Sequence, residues 1–229
     1  MSRFDILLFD ADDTIFDFQA CEKEALKLAF DRYNLELNQE IVDIYHRINQ
    51  ELWKKYELGL ISRDTVIYSR FALLFQELGI DDDGIAFEDE YQKLLGKQHF
   101  FIDRAEEVVK KLSGHYDLYV VTNGVTETQY SRLRASGIDR YMKKIFVSEE
   151  TGYQKPMKEY FDYCFARIEN FNKDRTLIIG DSLSSDIKGG NNAGIAACWY
   201  NPKKLENVTD CIADYEISRL TELYSILGV

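Results

Sequence analysis

Acidic, hydroxyl and amine side chains occur in short segments that lie far apart in this chain. The four segments are residues 9–14, 121–124, 154–156 and 180–186. Each follows, or nearly follows, an apolar run that is typical of a buried strand. The carboxyl ends of parallel strands meet at one edge of a sheet, where open α/β sheets bind their ligands. Carboxylates, a hydroxyl and an ammonium group at that edge predict a site for a phosphate group and a hard cation such as Mg²⁺.

The first segment has Asp10 and Asp12 two residues apart, directly after the apolar run 6–9. If the backbone stays extended, both side chains point to the same side of the strand. Two neighbouring carboxylates need either a cation or a shared proton. The alternative is a turn without function, because Asp is common in turns.

The second and third segments offer groups that can hold an anion. Thr122 and Asn123 end a predicted strand and precede a predicted helix, so a hydroxyl and backbone N–H groups could bind phosphate there. Alternatively, one of these two residues simply caps the helix. Lys155 could neutralise a phosphate and hold a carboxylate in place. A lysine before proline is otherwise an ordinary loop residue.

The fourth segment places Asp181 at the tip of a predicted strand and Asp186 where the next helix should begin. A carboxylate at the tip of an interior strand is costly to desolvate unless a cation accompanies it. Asp181 therefore favours a metal site. The alternative for Asp186 is a helix N-cap.

Residues 17–97 carry apolar side chains at helical spacing, which predicts an inserted helical bundle. The repeating sets are Leu26, Ala29, Phe30 and Tyr33; Ile41, Ile44, Tyr45, Ile48 and Leu52; Ile67, Phe71, Leu74 and Leu78; and Phe87, Tyr91, Leu94 and Leu95. Gly79 after the third set is a helix stop. We expect the aromatic stripes to form the core of the bundle.

After residue 102, predicted helices alternate with predicted strands, which indicates a parallel sheet. The predicted strands are 118–121, 144–147, 176–179, 196–199 and a short one near 211–213, followed by a helix around 220–227. The fold class is therefore α/β: a doubly wound, Rossmann-like parallel sheet that includes the first strand, with the bundle inserted. Residues 1–16 and 98–229 are predicted to form the core domain, and 17–97 a helical cap.

Composition excludes several classes of partner. The 229 residues carry 28 basic and 40 acidic side chains, a net charge of −12, which disfavours a nucleic-acid polymer. The N-terminal apolar stretch is too short for a signal peptide or a membrane span. Four cysteines without a Cys-x-x-Cys pair suggest reduced, mostly buried thiols of a cytoplasmic protein with no membrane partner. Oligomeric state is left open.

Taken together and in this order, the four segments resemble those of haloacid-dehalogenase-superfamily phosphohydrolases with a helical cap inserted after the first motif. The residues 10–16, the Thr122-Asn-Gly turn and the stretch 180–194 also resemble bacterial pyrimidine 5′-nucleotidases that remove non-canonical nucleotides. Many members have Gly at the position of Asp13, so that turn is either stiffer here or exposes Asp13 to solvent. Haloacid dehalogenases typically lack the second acid, so Asp12 argues against dehalogenation.

The resemblance implies a role for each acid of the first and fourth segments. Asp10 would be the nucleophile that forms an aspartyl-phosphate. Asp12 would protonate the leaving group and then activate water. Mg²⁺ would be held by the Asp10 carboxylate, the Asp12 backbone carbonyl and Asp181. Asp186 would support either a lysine or a metal-bound water.

The same resemblance implies that Thr122 and Asn123 bind phosphate oxygens, while Lys155 offsets the charge of Asp10 and the phosphate. Phe16 and Phe18 could stack on a pyrimidine or could instead pack between cap and core. His46, His99 and His115 lie outside every motif and are assigned no catalytic role.

The predicted activity is Mg²⁺-dependent hydrolysis of a small phosphorylated metabolite, with pyrimidine nucleoside 5′-monophosphates as the favoured substrates. The first alternative is a phosphatase for small sugar phosphates or phosphoglycolate, and a phosphomutase shares the motifs. A phospho-aspartate switch of the receiver type is a remote alternative, because the chain is too long and has a bundle after its first strand.

Overall fold

The computed structural model describes residues 3–229. Its strands are β1 (Ile6–Phe9), β2 (Asp117–Thr122), β3 (Lys144–Val147), β4 (Thr176–Gly180), β5 (Ala196–Tyr200) and β6 (Tyr215–Ile217). Its α-helices are α1 (Phe18–Arg32), α2 (Gln39–Glu57), α3 (Arg63–Leu78), α4 (Ile85–Leu95), α5 (Ala105–Leu112), α6 (Thr126–Ser136), α7 (Ser148–Thr151), α8 (Lys158–Phe165), α9 (Lys188–Ala193) and α10 (Leu223–Leu227). A π-helical turn, Leu183–Ile187, precedes α9.

The strands form one parallel sheet in the order β3-β2-β1-β4-β5-β6. This confirms the predicted doubly wound α/β fold. In the register of the central strands, Leu8 of β1 pairs with Tyr119 of β2 on one side and with Ile178 of β4 on the other. From β1 the chain adds β2 and β3 on one side of the sheet, and then β4, β5 and β6 on the other side. The crevice that binds ligands in such sheets lies at this switch point, beyond the carboxyl ends of β1 and β4.

The two faces of the sheet are covered by different helices. Leu7 and Phe9 of β1 belong to a buried cluster that includes Val108 of α5 and Leu223 of α10. Ile6 and Leu8 of the same strand belong to the opposite cluster, together with residues of α8 and α9. Burial on both faces explains why these strands are continuous apolar runs rather than alternating ones.

The predicted strand at 211–213 is wrong, because the last strand begins at Tyr215, which pairs with Cys198. The Asn191 side chain explains the difference. Its Nδ2 donates to the carbonyl of Ile212 and its Oδ1 accepts from the Ile212 N–H, at 2.8 Å each. A side chain thus satisfies the backbone groups that a strand would have paired with the sheet.

The chain divides into two compact units, one ending at Gln19 and resuming over His99–Val229, the other Ala20–Gln98. The second unit is built from four helices, of which α1 begins just before it. Its centre is aromatic: the Phe71 ring lies 5.2 Å from that of Tyr45, 4.7 Å from Phe87 and 5.1 Å from Tyr91. The prediction that the aromatic stripes form a core is confirmed except at Tyr33, which is exposed.

A polar network is buried within the helical unit. Arg70 donates two hydrogen bonds to Glu88, at 2.7 and 2.6 Å, and a third to Asn49 at 3.2 Å. Asn49 in turn donates to Glu22 at 3.1 Å, and His46 Nε2 lies 3.0 Å from the same carboxylate. Buried polar groups of this kind are tolerated because each has a partner.

The cysteines are free thiols, and three of the four, Cys21, Cys164 and Cys198, are buried, as predicted. Within residues 3–229, none of the helices has the length and apolar character needed to cross a bilayer.

Candidate active site

Lys155 lies at the centre of the candidate site and joins two of the predicted acids. Its Nζ donates to Asp10 Oδ1 at 2.6 Å, to Asp186 Oδ1 at 2.7 Å and to the carbonyl of Val121 at 2.9 Å. The Lys155 residue is 2% exposed, and Asp10 and Asp186 are 7% and 1% exposed. The four predicted segments, which supply Asp10, Val121, Lys155 and Asp186, therefore meet below the protein surface at the ends of β1, β2 and β4.

The local sequence after β4 explains how Asp186 reaches this point. Ser182 caps the π-helical turn by accepting a hydrogen bond from the Ser185 N–H, so the alternative of Asp186 as the N-cap is wrong. Asp186 instead accepts from the Ser182 N–H at 3.1 Å with its second oxygen. Gly180 makes room for it, since a Cβ there would lie 2.2 Å from Asp186 Cγ.

The acids form a group that suits a divalent cation. Carboxylate oxygens of Asp10, Asp181 and Asp186 lie within 4.8 Å of one another. Burial, with the charges of Asp186 and Asp12 adding to it and that of Lys155 opposing it, raises the pKa of Asp10 to about 8. Burial, with Asp10 and Asp186 nearby, also raises the pKa of Asp181 well above its usual range. Lys155 supplies one positive charge to three acids, so a second cation would stabilise their ionised forms, and an all-oxygen ligand set matches Mg²⁺.

A cavity of about 280 Å³ opens beside Asp181. Its walls include Asp13, Trp199 and Lys203. The Trp199 indole N–H donates to the backbone carbonyl of Asp181 at 2.8 Å, which fixes the strand-end loop that carries this carboxylate.

Thr122 is buried at the end of β2 with its hydroxyl in a defined orientation. Its Oγ1 accepts hydrogen bonds from Gln129 Nε2 at 2.9 Å and from the Gly124 N–H at 3.2 Å. A hydroxyl oxygen that accepts twice still has its own proton to donate. Thr122 can therefore donate to an anion such as a phosphate oxygen.

Asn123 joins two loops of the site. Its Nδ2 donates to the Lys155 carbonyl at 3.0 Å and its Oδ1 accepts from the Lys155 N–H at 2.9 Å. Neither Thr122 nor Asn123 caps α6, whose N-cap position is Val125, so the capping alternative is wrong. With its amide used on Lys155, the predicted phosphate contact of Asn123 would have to come from its backbone.

The Asp12 carboxylate contacts α6 and is not one of the three clustered acids. Arg132 forms an ion pair with Asp12 Oδ1, and Gln129 Nε2 donates to Oδ2 at 2.6 Å. Of the three predicted metal ligands, Asp10 and Asp181 thus bring carboxylates together, while Asp12 was predicted to act through its backbone carbonyl. Gln129 and Arg132 were missed by the sequence analysis.

The turn after the first motif has a backbone shape that normally favours glycine. Asp13 has a positive φ of 56°. Its Oδ1 accepts from the Phe18 N–H at 3.1 Å, which satisfies a backbone group at the start of α1. Burial raises the pKa of Asp13 to about 6, with the charges of Asp12 and Asp17 adding to the rise. Asp13 therefore does not simply face solvent.

Phe16 is fully buried and belongs to the core of the sheet domain. Its ring stacks on Phe101 at 5.5 Å between centroids, and the Arg132 guanidinium lies 4.8 Å from the ring centre. The expectation that Phe16 could stack on a substrate base is wrong, because its side chain is fully buried. Phe18 is partly exposed.

The sequence and fold of this chain are similar to those of known proteins. A family model for haloacid dehalogenase-like hydrolases matches residues 4–194. The chain belongs to this hydrolase family. HAD-hydrolase YfnB of Bacillus subtilis is 50% identical over 229 residues, covering 100% of this chain and 97% of that protein. Its crystal structure, bound to magnesium, has a TM-score of 0.95 and covers 99% of this chain and 100% of that one.

Two relatives are named as pyrimidine 5′-nucleotidases. Pyrimidine 5′-nucleotidase PynA of Streptococcus pneumoniae is 39% identical over 225 residues, covering 98% of this chain and 95% of that protein. Pyrimidine 5′-nucleotidase YjjG of Escherichia coli is 29% identical over 225 residues, covering 98% of each. The predicted resemblance to haloacid-dehalogenase-type hydrolases and to this nucleotidase branch is confirmed, and the chain is an enzyme.

Proposed function

We propose that this hydrolase is a Mg²⁺-dependent phosphatase that acts through an aspartyl-phosphate on Asp10, with pyrimidine nucleoside 5′-monophosphates as its substrates. The observation that carries the proposal is the buried Lys155, held between Asp10 and Asp186 beside Thr122. A carboxylate, an ammonium group and a hydroxyl donor in one crevice can position a phosphoryl group and stabilise its charge, which is most of what phosphoryl transfer requires.

In the first step, a carboxylate oxygen of Asp10 attacks phosphorus and the bond to the ester oxygen breaks. Lys155 holds Asp10 Oδ1, which leaves Oδ2 as the attacking oxygen. The departing alkoxide takes a proton from Asp12. Thr122 and Lys155 balance the charge on the transferred group.

In the second step, water attacks the phosphorus of the aspartyl-phosphate while Asp12 accepts a proton from that water. The bond between phosphorus and Asp10 breaks, which releases inorganic phosphate and restores both acids. One residue thus acts as acid and then as base, as in other two-step hydrolyses.

Mg²⁺ would be held by the carboxylates of Asp10 and Asp181 with the backbone carbonyl of Asp12. When bound, it supplies the positive charge that lets a dianionic phosphate approach a cluster of acids. Asp186 accepts hydrogen bonds from Lys155 and from the Ser182 N–H, one at each oxygen, which supports the proposed role of holding Lys155 in place.

The substrate assignment is supported by the two nucleotidase relatives, which align over almost the whole chain. We assign the phosphatase core to residues 1–16 and 98–229, and we assign substrate selectivity to a helical cap over 17–97. Phe18 is the remaining aromatic candidate for contact with a pyrimidine ring, since Phe16 is buried.

The substrate proposal is tested by phosphate release from dUMP, UMP, dTMP, phosphoglycolate and hexose phosphates at equal Mg²⁺. We expect the highest kcat/KM for a pyrimidine nucleotide. If a hexose phosphate or phosphoglycolate were preferred by tenfold, about 1.4 kcal/mol, the nucleotidase assignment would be wrong and the phosphatase assignment would stand. Retention of phosphate on the product would indicate a mutase, and a phospho-enzyme stable for hours a switch.

The metal proposal is tested with and without chelator. We expect chelation to abolish turnover, Mg²⁺ to restore it, and Mg²⁺ to raise the melting temperature of the parent protein by ligand linkage. Asp181→Asn should remove both the activity and the Mg²⁺-dependent rise in melting temperature. Full activity in excess chelator would refute the metal assignment.

A further inference from the structure

The Asp12 carboxylate is held by two side chains that no motif of the family resemblance includes. Gln129 and Arg132 lie three residues apart on α6, and each is 1% exposed. Arg132 Nη1 donates to one oxygen of Asp12 and Gln129 Nε2 to the other. A carboxylate bound at both oxygens has a fixed orientation, because rotation about either side-chain torsion would break one contact.

The two donors are themselves held in place. Arg132 Nη1 also donates to Gln129 Oε1 at 3.1 Å, and the guanidinium lies over the Phe16 ring. Gly124 allows this arrangement, because a Cβ at that position would lie 2.4 Å from Gln129 Nε2. The glycine of the Thr-Asn-Gly turn therefore makes room for the side chain that contacts Asp12.

Gln129 also connects Asp12 to the predicted phosphate site. Its Nε2 donates to Asp12 Oδ2 at 2.6 Å and to Thr122 Oγ1 at 2.9 Å. A single amide nitrogen thus sets the distance between the hydroxyl that would bind phosphate and the carboxyl group that would exchange a proton with the ester oxygen and with water. Each carboxylate oxygen has a second lone pair, so these contacts leave Asp12 able to accept and release a proton.

We propose that Gln129 and Arg132 are positioning residues for the phosphatase reaction: they orient the Asp12 carboxyl group relative to the phosphate bound at Thr122. The inference rests on the proposed function, because it needs Asp12 to act as acid and base. A misplacement of a reacting group by about 1 Å can cost on the order of a hundredfold in rate. The effect should therefore be kinetic and should appear only in steps that use Asp12.

The test compares an alkyl with an aryl phosphate in Gln129→Met and Arg132→Met variants. For UMP, or phosphoglycolate if UMP is not hydrolysed, departure of the alkoxide needs the acid, so kcat/KM should fall about a hundredfold in Arg132→Met and about tenfold in Gln129→Met. For p-nitrophenyl phosphate the leaving group needs no proton. Its kcat/KM should stay within about threefold of the parent value.

The aryl substrate also reports the second step. Hydrolysis of the aspartyl-phosphate still needs Asp12 as base, so kcat for p-nitrophenyl phosphate should fall and a burst of nitrophenolate, about one per site, should precede the slow steady state. A purely structural role would reduce both substrates alike and give no burst. The matched control is Arg134→Met on the same helix, where Arg134 is exposed and packs on Tyr130; it should retain parent kinetics.

Asp12→Asn separates this inference from the proposed function. If Arg132 acts through Asp12, Arg132→Met should add less than about twofold to the loss caused by Asp12→Asn. Equal losses for alkyl and aryl phosphates, or full additivity, would overturn the positioning role. If Arg132→Met does not fold, Gln129→Met, which keeps a similar volume, tests the positioning role. Its readouts are the same: the difference between alkyl and aryl phosphates and the burst of nitrophenolate. An Asp12→Asn variant with near-parent rates on UMP would overturn the acid–base role itself.

Discussion

A single methyl group at Gly180 should disturb the candidate site through Asp186. A Cβ on this residue would lie 2.2 Å from Asp186 Cγ and 2.5 Å from its Cβ, whereas ordinary contacts begin at 3.4 Å. Asp186 must then retreat by about 1 Å, since repulsion rises steeply at such distances. Gly180 ends β4, where it is buried and paired with Trp199, so the backbone has little room to move instead.

The expected loss in the free energy of unfolding of Gly180→Ala has a steric part and an electrostatic part. Forcing an extra carbon into a packed interior costs about 1–3 kcal/mol. Retreat of Asp186 also lengthens its 2.7 Å contact with Lys155, a buried ion pair. Complete loss of one partner would cost about 3–5 kcal/mol, but Lys155 retains Asp10 and the Val121 carbonyl. We therefore expect Gly180→Ala to lower the free energy of unfolding by about 2–3 kcal/mol, in the upper part of the steric range and below the cost of losing the whole pair.

The measurement is urea unfolding, with phosphate release as a second readout. A loosened Lys155 should lower kcat at least about tenfold, since about 1.4 kcal/mol of lost transition-state stabilisation suffices for that. Gly114→Ala is the matched control: its Cβ would lie 3.5 Å from the nearest atom, an ordinary contact. It should change the free energy of unfolding by less than about 0.5 kcal/mol.

A double-mutant cycle with Asp186→Asn isolates the electrostatic part. The amide keeps the shape of Asp186 and removes its charge, so Gly180→Ala should cost at least about 1 kcal/mol less in that background. If Gly180→Ala were as stable and as active as the parent, the close packing of Gly180 against Asp186 could not control Lys155, and the reasoning would be refuted.

Substitutions at Asp10, Asp13 and His46 have three further expected outcomes. Asp10→Asn should lower kcat/KM at least about a thousandfold, roughly 4 kcal/mol, with folding intact by circular dichroism; near-parent rates would exclude Asp10 as nucleophile. Asp13→Gly should change stability by less than about 1 kcal/mol at about pH 5, because relief of the positive φ offsets the lost Phe18 contact. Because burial raises the pKa of Asp13 to about 6, ionising this carboxyl group between about pH 4 and about pH 6 costs the folded parent protein stability. Without metal, the free energy of unfolding of Asp13→Gly should therefore rise relative to that of the parent over this pH interval. The hydrogen bond to Glu22 raises the pKa of His46 above 6.5 in the folded protein. The pair should therefore stabilise the protein fully below pH 6.5 and progressively less as pH rises through the folded-state pKa of His46. In urea unfolding, His46→Gln should flatten the dependence of the midpoint on pH over that range.

Much of the fold could be predicted because five of the six strands in the described residues are short, mainly apolar runs. The runs in β1 and β3 were predicted with the bounds that the structure gives, and β2, β4 and β5 differ by one or two residues. Strands buried on both faces must be apolar throughout, and the acids that follow them mark where the strands leave the core. The same logic brought Asp10, Thr122 and Asp181 to one edge of the sheet.

The last strand could not be located in this way. Its sequence, Tyr215–Ile217, contains a glutamate and lies at the edge of the sheet, whereas the apolar residues 211–213 precede it. The other edge strand, β3, could be located because its run Ile145–Val147 is apolar, whereas β6 has only three residues and one of them is charged. The decisive interaction is the pairing of Asn191 with Ile212, which depends on a distant side chain.

The contacts of Asp12 were missed because α6 has no apolar stripe. Its buried residues are Thr128, Gln129, Arg132 and Leu133. The sequence of α6 nevertheless contains a feature that could have indicated these contacts. A helix that connects two neighbouring parallel strands packs on the sheet and must bury one face, and when that face is polar its side chains need buried partners. Gln129 and Arg132, three residues apart and directly after the Thr-Asn-Gly turn, are the side chains for which such a partner should be sought.

The different roles proposed for Asp10 and Asp12 correspond to different surroundings of two acids that are close in sequence. Asp10 contacts Lys155, an ammonium group supplied from the loop before α8, and lies beside the acids that suit a metal. Asp12 contacts Arg132, a guanidinium supplied from α6. Each carboxylate thus has its own cation from a different element, and different environments are what allow paired acids to take different roles. A nucleophile needs to stay ionised and fixed against phosphorus, whereas an acid–base group needs to exchange a proton beside it. Separate cations hold the two carboxylates independently, and a bound Mg²⁺ would add the charge that keeps Asp10 ionised.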